Sequence, residues 1–131
     1  MESLSYLPHK YPFLYVDRVV EREPMMWVKG YKNLSYNEWF ISESQKSMPS
    51  TLIIEAIGQI GAFVRVEKSE KYEILAGING AQIHGSAYPG DRLDLYFEVT
   101  RIRNGLMKGK GIASVNGSVI VSIEEITTVY L

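Results

Sequence analysis

The sequence contains no cysteine, so disulfides, thiolate nucleophiles and cysteine metal sites are excluded, and with them an extracellular framework of cross-links. Histidine is scarce, with His9 and His84 the two present. A net charge of −1 gives no broad attraction to nucleic acid or to an anionic membrane, and neither is expected as a partner. No stretch has the length and apolar character needed to cross a bilayer, and Met1 to Lys10 lack the basic start and apolar run of a signal peptide. The expected setting is the cytoplasm. Repeats, low-complexity tracts and linker-like runs of proline, glycine or serine are also missing.

What is present is the balance of a globular protein, 46% hydrophobic and 22% charged residues in a chain of 131, enough for one core and one domain over residues 1–131. Phe13–Val20 and Met26–Asn33 are short apolar or mixed segments separated by "EREP", whose Pro24 cannot donate to a strand ladder. They predict a first hairpin.

From Leu52, the residues Ile53, Ala56, Ile57, Ile60, Phe63 and Val64 recur at helical spacing, which predicts a helix running to about Lys68 with one broad buried face. Ser50 or Thr51, directly after Pro49, is the expected cap, and "EKSEK" the polar exit. Gly58 and Gly61 each cost roughly 1 kcal/mol relative to alanine within a helix, so close contact with another backbone is expected to compensate.

Farther on, "LDLYFEVTRI" alternates Leu93, Leu95, Phe97 and Val99 with polar neighbours, a strand with one face on the core. Asn116-Gly117 then sits between two β-rich runs and suits a tight hairpin turn. One long helix among antiparallel strands is an α+β layout with the helix lying on a sheet.

Four stretches, "LPHKYPFLYVDRV" from Leu7, "GYKNLSYNEWF" from Gly30, "MPSTLIIEAIGQIGAF" from Met48 and "LAGINGAQIHGSAYPGDRL" from Leu75, resemble in content and order the β-hydroxyacyl-acyl-carrier-protein dehydratases of fatty acid synthesis. The resemblance implies a hotdog fold, in which a long central helix is wrapped by a curved antiparallel sheet. It also implies a dimer whose sheets join edge to edge, and a substrate held as an acyl thioester on acyl carrier protein or coenzyme A. No metal or organic cofactor is implied.

In that family a histidine and a carboxylate from two different subunits share the chemistry. The resemblance places the carboxylate at Glu55. It places the histidine in a Gly-His-Phe-Pro-Gly loop between Asn37-Glu38 and Met48-Pro49, where this chain has the shorter "WFISESQKS". The histidine is missing, although removing a proton α to a carbonyl calls for a base that exchanges protons near neutrality. Glu43 is the one titratable acid in that loop and could serve as a base only if burial raised its pKa.

His9 falls where the family also carries a histidine, and its expected work is fixing a turn or interface. His84 reads as a solvated strand histidine, with a rim contact to a carrier protein or a pantetheine phosphate as the alternative. Glu55, Gln59 and Ala62 share one helical stripe, distinct from the face led by Leu52, Ala56 and Ile60. In the family that stripe faces the thioester, and the helix start at Pro49, Ser50 and Thr51 offers amides to its carbonyl.

Three expectations stay open: an acyl-thioester-binding homodimer that has lost dehydration, an enzyme, or a structural dimer with a closed pocket. The enzyme would be either a dehydratase heterodimer whose histidine comes from a paralogue, or a thioesterase using Glu55.

Overall fold

In the computed structural model, which describes residues 13–65 and 73–130, six antiparallel strands form one sheet and a single helix packs on one of its faces. Strands β1 (Arg18–Glu23) and β2 (Trp27–Asn33) make the first hairpin. Helix α1 (Ser50–Gly61) follows, closed by a 3₁₀ turn over Ala62–Val64. Strands β3 (Glu73–Ile83), β4 (Arg92–Arg103), β5 (Leu106–Val115) and β6 (Ser118–Tyr130) complete the sheet in the order β1-β2-β4-β5-β6-β3.

The first hairpin is displaced from the sequence expectation. Residues Phe13 to Asp17 precede the strand, and Glu21, Arg22 and Glu23 belong to it, paired with Lys29, Val28 and Trp27. At a sheet edge the side chains of Glu21 and Glu23 stand in water while their backbone completes the ladder, so they hide the strand signal. Pro24 lies in the connection, as expected.

The alternation of β4 is as expected, with Leu93, Leu95 and Phe97 buried. The β5–β6 turn holds Asn116 and Gly117 at φ 51° and 82°, the doubly left-handed turn that an Asn-Gly pair accommodates.

Helix α1 is shorter than its hydrophobic repeat suggests. Past Gly61 the chain tightens into the 3₁₀ turn, and Arg65 is extended; the expected polar exit lies outside the described residues. At the other end Pro49, with φ −54° and ψ 136°, is the cap position. Ser50 and Thr51 are already in the helix, and no side chain caps it. The Pro49 carbonyl instead accepts from the amides of Leu52 and Ile53 at 3.0 and 3.2 Å.

Ile53, Ala56, Ile57 and Ile60 are fully buried and join Phe63, Val64, Leu93, Leu95 and Phe97 in the core. Each such side chain contributes about 1.5–3 kcal/mol on leaving water. The tight helix–sheet approach is at Gly61, where an added Cβ would come within 2.8 Å of the Phe97 ring. Gly58 is a correction to the expectation: a Cβ there would meet Leu75 of β3 at an ordinary 3.8 Å.

The opposite face of the sheet mixes charged side chains with Trp27, Tyr31, Tyr96 and Ile112. Arg92 pairs with Asp94 at 2.9 Å, Lys110 with Glu98 at 3.5 Å, and the Lys29 ammonium lies 5.2 Å from the Trp27 ring centroid. Among the described residues no helix is long and apolar enough to cross a membrane.

Candidate functional site

Glu55 is half-buried, one turn beyond the helix start formed by Pro49, Ser50 and Thr51. Gln59 lies one turn further and is almost completely buried, 2% exposed. Its Nε2 donates to Glu55 Oε1 at 3.4 Å and to the Phe13 carbonyl at 2.9 Å, while its Oε1 accepts from the Tyr15 amide at 2.7 Å. The amide of Gln59 therefore spans the helix and the segment before β1, and it fixes the carboxylate and Tyr15 relative to each other. A buried amide satisfied on both ends is costly to replace, because each orphaned group loses its partner without regaining water.

Tyr15, which a pattern of apolar residues conceals in "YPFLYVDRV", is 3% exposed and packs edge-on against Phe40, with ring centroids 6.3 Å apart. Burial pushes its phenol above the ordinary value of 10.0; a hydrogen bond with the Trp39 side chain works in the opposite direction, and the charges of Glu55 and Glu38 add to the rise. Trp39 in turn stands edge-on to Phe40 at 5.6 Å and to Phe13 at 5.9 Å. Neither Tyr15 nor Trp39 was marked by sequence reasoning. Their signal lay in two aromatics flanking otherwise familiar motifs, and only the fold brings Tyr15 to Gln59 and Trp39 to Tyr15.

The loop from Leu34 to Pro49 is tied down at both ends. Leu34 exchanges backbone bonds with Asp91 and Gly90 at 3.0 and 2.9 Å, and Met48 N reaches Ala87 O at 2.9 Å. Near its start, Lys32 and Glu38 form a 3.2 Å ion pair with side chains 7% and 17% exposed, and Glu38 Oε2 also accepts from the Ser35 amide. Between the ties, Ser42 and Gln45 bond reciprocally through their backbones at 3.0 and 3.3 Å. Glu43 sits in that turn and is exposed. The burial it would need to act as a base is therefore lacking.

His84 follows the end of β3, exposed, with Nε2 3.1 Å from Ser122 Oγ. His9 lies outside the described residues. Among the described residues no three histidine or carboxylate side chains gather closely enough to hold a metal ion.

A FabA-like domain model matches residues 7–124. The chain belongs to the FabA/FabZ-type dehydratase family. It is 44% identical over 124 residues to the uncharacterized protein YcsD of Bacillus subtilis, covering 95% of each chain. It is 43% identical over 132 residues to a 3-hydroxyacyl-[acyl-carrier-protein] dehydratase FabZ of Clostridium botulinum, with 94% of this chain and 92% of that one covered. Among solved structures, the dehydratase heterocomplex ApeI:P from Xenorhabdus doucetiae is similar with a TM-score of 0.82 at 16% identity, over 100% of this chain and 92% of that one. A hot-dog-like protein from Thermanaerovibrio acidaminovorans has a TM-score of 0.65 at 12% identity, over 91% and 84%. The fold is accordingly a hotdog, with the helix on a six-stranded antiparallel sheet.

Proposed function

We propose that the protein is a cytoplasmic, single-domain acyl-thioester-binding member of the dehydratase family that has lost dehydration. In this reading it works as a homodimer joined through β3, and its ligand is carried on acyl carrier protein or coenzyme A. The observation that carries the reading is the loop between Asn37-Glu38 and Met48-Pro49. Where the family's histidine would stand, the chain closes into the Ser42–Gln45 turn, and no residue from Trp39 to Ser47 is a histidine. Glu55 keeps its place on the helix with Gln59 bonded to it, and Pro49, Ser50 and Thr51 form the helix start that would face the thioester carbonyl.

Dehydration needs a group that takes the Cα proton, and a positioned base contributes typically 10²- to 10⁴-fold. A panel of 3-hydroxyacyl, enoyl and saturated acyl thioesters should show saturable binding without conversion between hydroxyacyl and enoyl forms. Conversion by the purified homodimer would overturn the reading. Replacing Ile41–Ser47 with a family-length loop containing Gly-His-Phe-Pro-Gly should install dehydration, and Glu55→Gln in that chimera should remove it.

A second reading is favoured by the open edge of β3, which can pair with another chain as readily as with its own copy. A histidine-bearing paralogue seated there would complete an active heterodimer. The similar dehydratase heterocomplex ApeI:P from Xenorhabdus doucetiae supports it as a precedent for the fold. Dehydration arising only when the paralogue is mixed in would establish it over the first.

A further inference from the structure

We infer that Tyr15 is the second functional group of the Glu55 site, a phenolic donor to the thioester carbonyl oxygen, and that the two together serve hydrolysis of an acyl thioester by water. The inference rests on the acyl-thioester site proposed above. Its basis is geometric. Gln59 holds the Tyr15 backbone and the Glu55 carboxylate through one buried amide, so the two residues are positioned as a unit within a single subunit. The Tyr15 hydroxyl is further held by the Trp39 side chain. An indole N–H only donates, so the phenol oxygen is the acceptor in that bond and its own proton is left to donate elsewhere. Burial and the neighbouring charges of Glu55 and Glu38 keep that proton in place at neutral pH.

The division of labour then selects the reaction. Dehydration sets three tasks: polarising the carbonyl, taking the Cα proton and protonating the hydroxide that leaves Cβ, and its two proton tasks lie at different carbons, which one carboxylate does not serve together. Hydrolysis also sets three, but its two proton tasks fall on atoms bonded to the same carbonyl carbon, so one carboxylate serves both in turn. Glu55 takes a proton from water as the water oxygen bonds to the carbonyl carbon, and the carbonyl π electrons move onto oxygen, where Tyr15 donates. When the oxyanion collapses, the C–S bond breaks with its electron pair on sulfur, and the proton held by Glu55 goes to the thiolate. The products are a carboxylic acid and a free thiol, with water the sole co-reactant. A donor aimed at a developing oxyanion is worth about 10²–10³ in kcat.

The test uses the full chain, a saturated acyl-pantetheine thioester read by thiol release, and the matching thioether, which cannot be cleaved, read by calorimetry. The parent should bind the thioether and release thiol. Tyr15→Phe should lower kcat by about 10²-fold while KM and thioether affinity stay near the parent's, a split that a purely structural role would not produce. Glu55→Gln should abolish release. Trp39→Phe, which removes the indole N–H and keeps a ring, should lower kcat by less, and it substitutes as the decisive variant if Tyr15→Phe melts early. Thioether binding with no thiol release overturns the hydrolytic inference and leaves the binding function standing. Unchanged kcat in Tyr15→Phe, or in Trp39→Phe when that variant decides, overturns the role of Tyr15. Absence of thioether binding removes both this inference and the function beneath it.

Discussion

The two edges of the sheet are built on opposite plans. Strand β1 has six residues and a break in register between Val19 and Glu21, and Arg18, Glu21, Arg22 and Glu23 crowd charge along it. Strand β3 also breaks register, between Leu75 and Gly77, but it has eleven residues and carries Ile74, Leu75, Ile78 and Ile83, with Ile74, Ile78 and Ile83 between 40% and 52% exposed. A short, charged edge resists pairing with another chain, whereas a long apolar one invites it. Their inner sides differ as well. On the β1 side the helix end is bolted to the hairpin: Arg22 Nη1 donates to the carbonyls of Phe63 and Arg65 at 2.7 and 3.0 Å, and Met25 N donates to Val64 O at 2.8 Å. On the β3 side the helix offers Gly58, which leaves Leu75 at ordinary contact distance. Among the described residues one margin is tied to the helix end, and the other is a bare edge.

The largest expected effect breaks this contrast directly. Ile78 stands opposite Ile126, on the helix-bearing face. Ile78→Lys in both copies of a dimer removes an apolar contribution of about 2 kcal/mol from each side and should weaken self-association by roughly 10³-fold. Light scattering should then give a monomer mass at concentrations where the parent is a dimer. Val20→Lys, on the opposite edge and 62% exposed, should leave the mass unchanged. A monomeric parent would sink the contrast at once.

Next in size is a matched pair of glycine substitutions. A Cβ on Gly30 of β2 would run into the Arg18 carbonyl and the Ile60 side chain, whereas one on Gly77 of β3 would meet only Thr127, at 3.9 Å. Gly30→Ala should cost roughly 1–3 kcal/mol, read as a lowered denaturation midpoint at unchanged slope. Gly77→Ala should stay within about 0.5 kcal/mol of the parent. Arg22→Met, which keeps the apolar stem and deletes the donors to the helix end, should cost about 1.5–3 kcal/mol, since those bonds come from a charged group. The last substitution is expected to give a gain. Gly58→Ala should stabilise by up to about 1 kcal/mol, and a loss of stability there would show that the β3 margin is more tightly filled than the contact with Leu75 indicates.

The asymmetry between the margins explains what the sequence did and did not disclose. Helix α1 and strands β4 to β6 were legible because each has one wet and one dry face, which leaves a period in the side chains: Ile53, Ala56, Ile57 and Ile60 on the helix, Leu93, Leu95 and Phe97 on β4. The edges were not. Charge on Glu21 and Glu23 disguised the end of β1, and the glycines in "LAGINGAQI" broke the alternation of β3, which was noticed only as part of the family resemblance.

At the candidate site, Glu55 and Gln59 could be found because they lie on the same helical stripe. The Pro49 cap was missed because Ser50 and Thr51 offered more conventional side chains for the task. Tyr15 is brought to Gln59 by the segment before β1, from 44 positions away in the sequence, and Trp39 to Tyr15 by the loop, and no local pattern encodes such a meeting.

The Ser42–Gln45 turn carries an implication for how such proteins change over generations. Both ends of its loop are fastened to the connection between β3 and β4, through Leu34 to Gly90 and Asp91 on one side and Met48 to Ala87 on the other, and the turn closes on itself between them. Residues can therefore be added or deleted at its tip while Phe40 and Met48 keep their places in the core. Chemistry lodged in that tip is a detachable cassette. A lineage can discard it in one deletion and keep a folded frame on which selection can assemble a different activity.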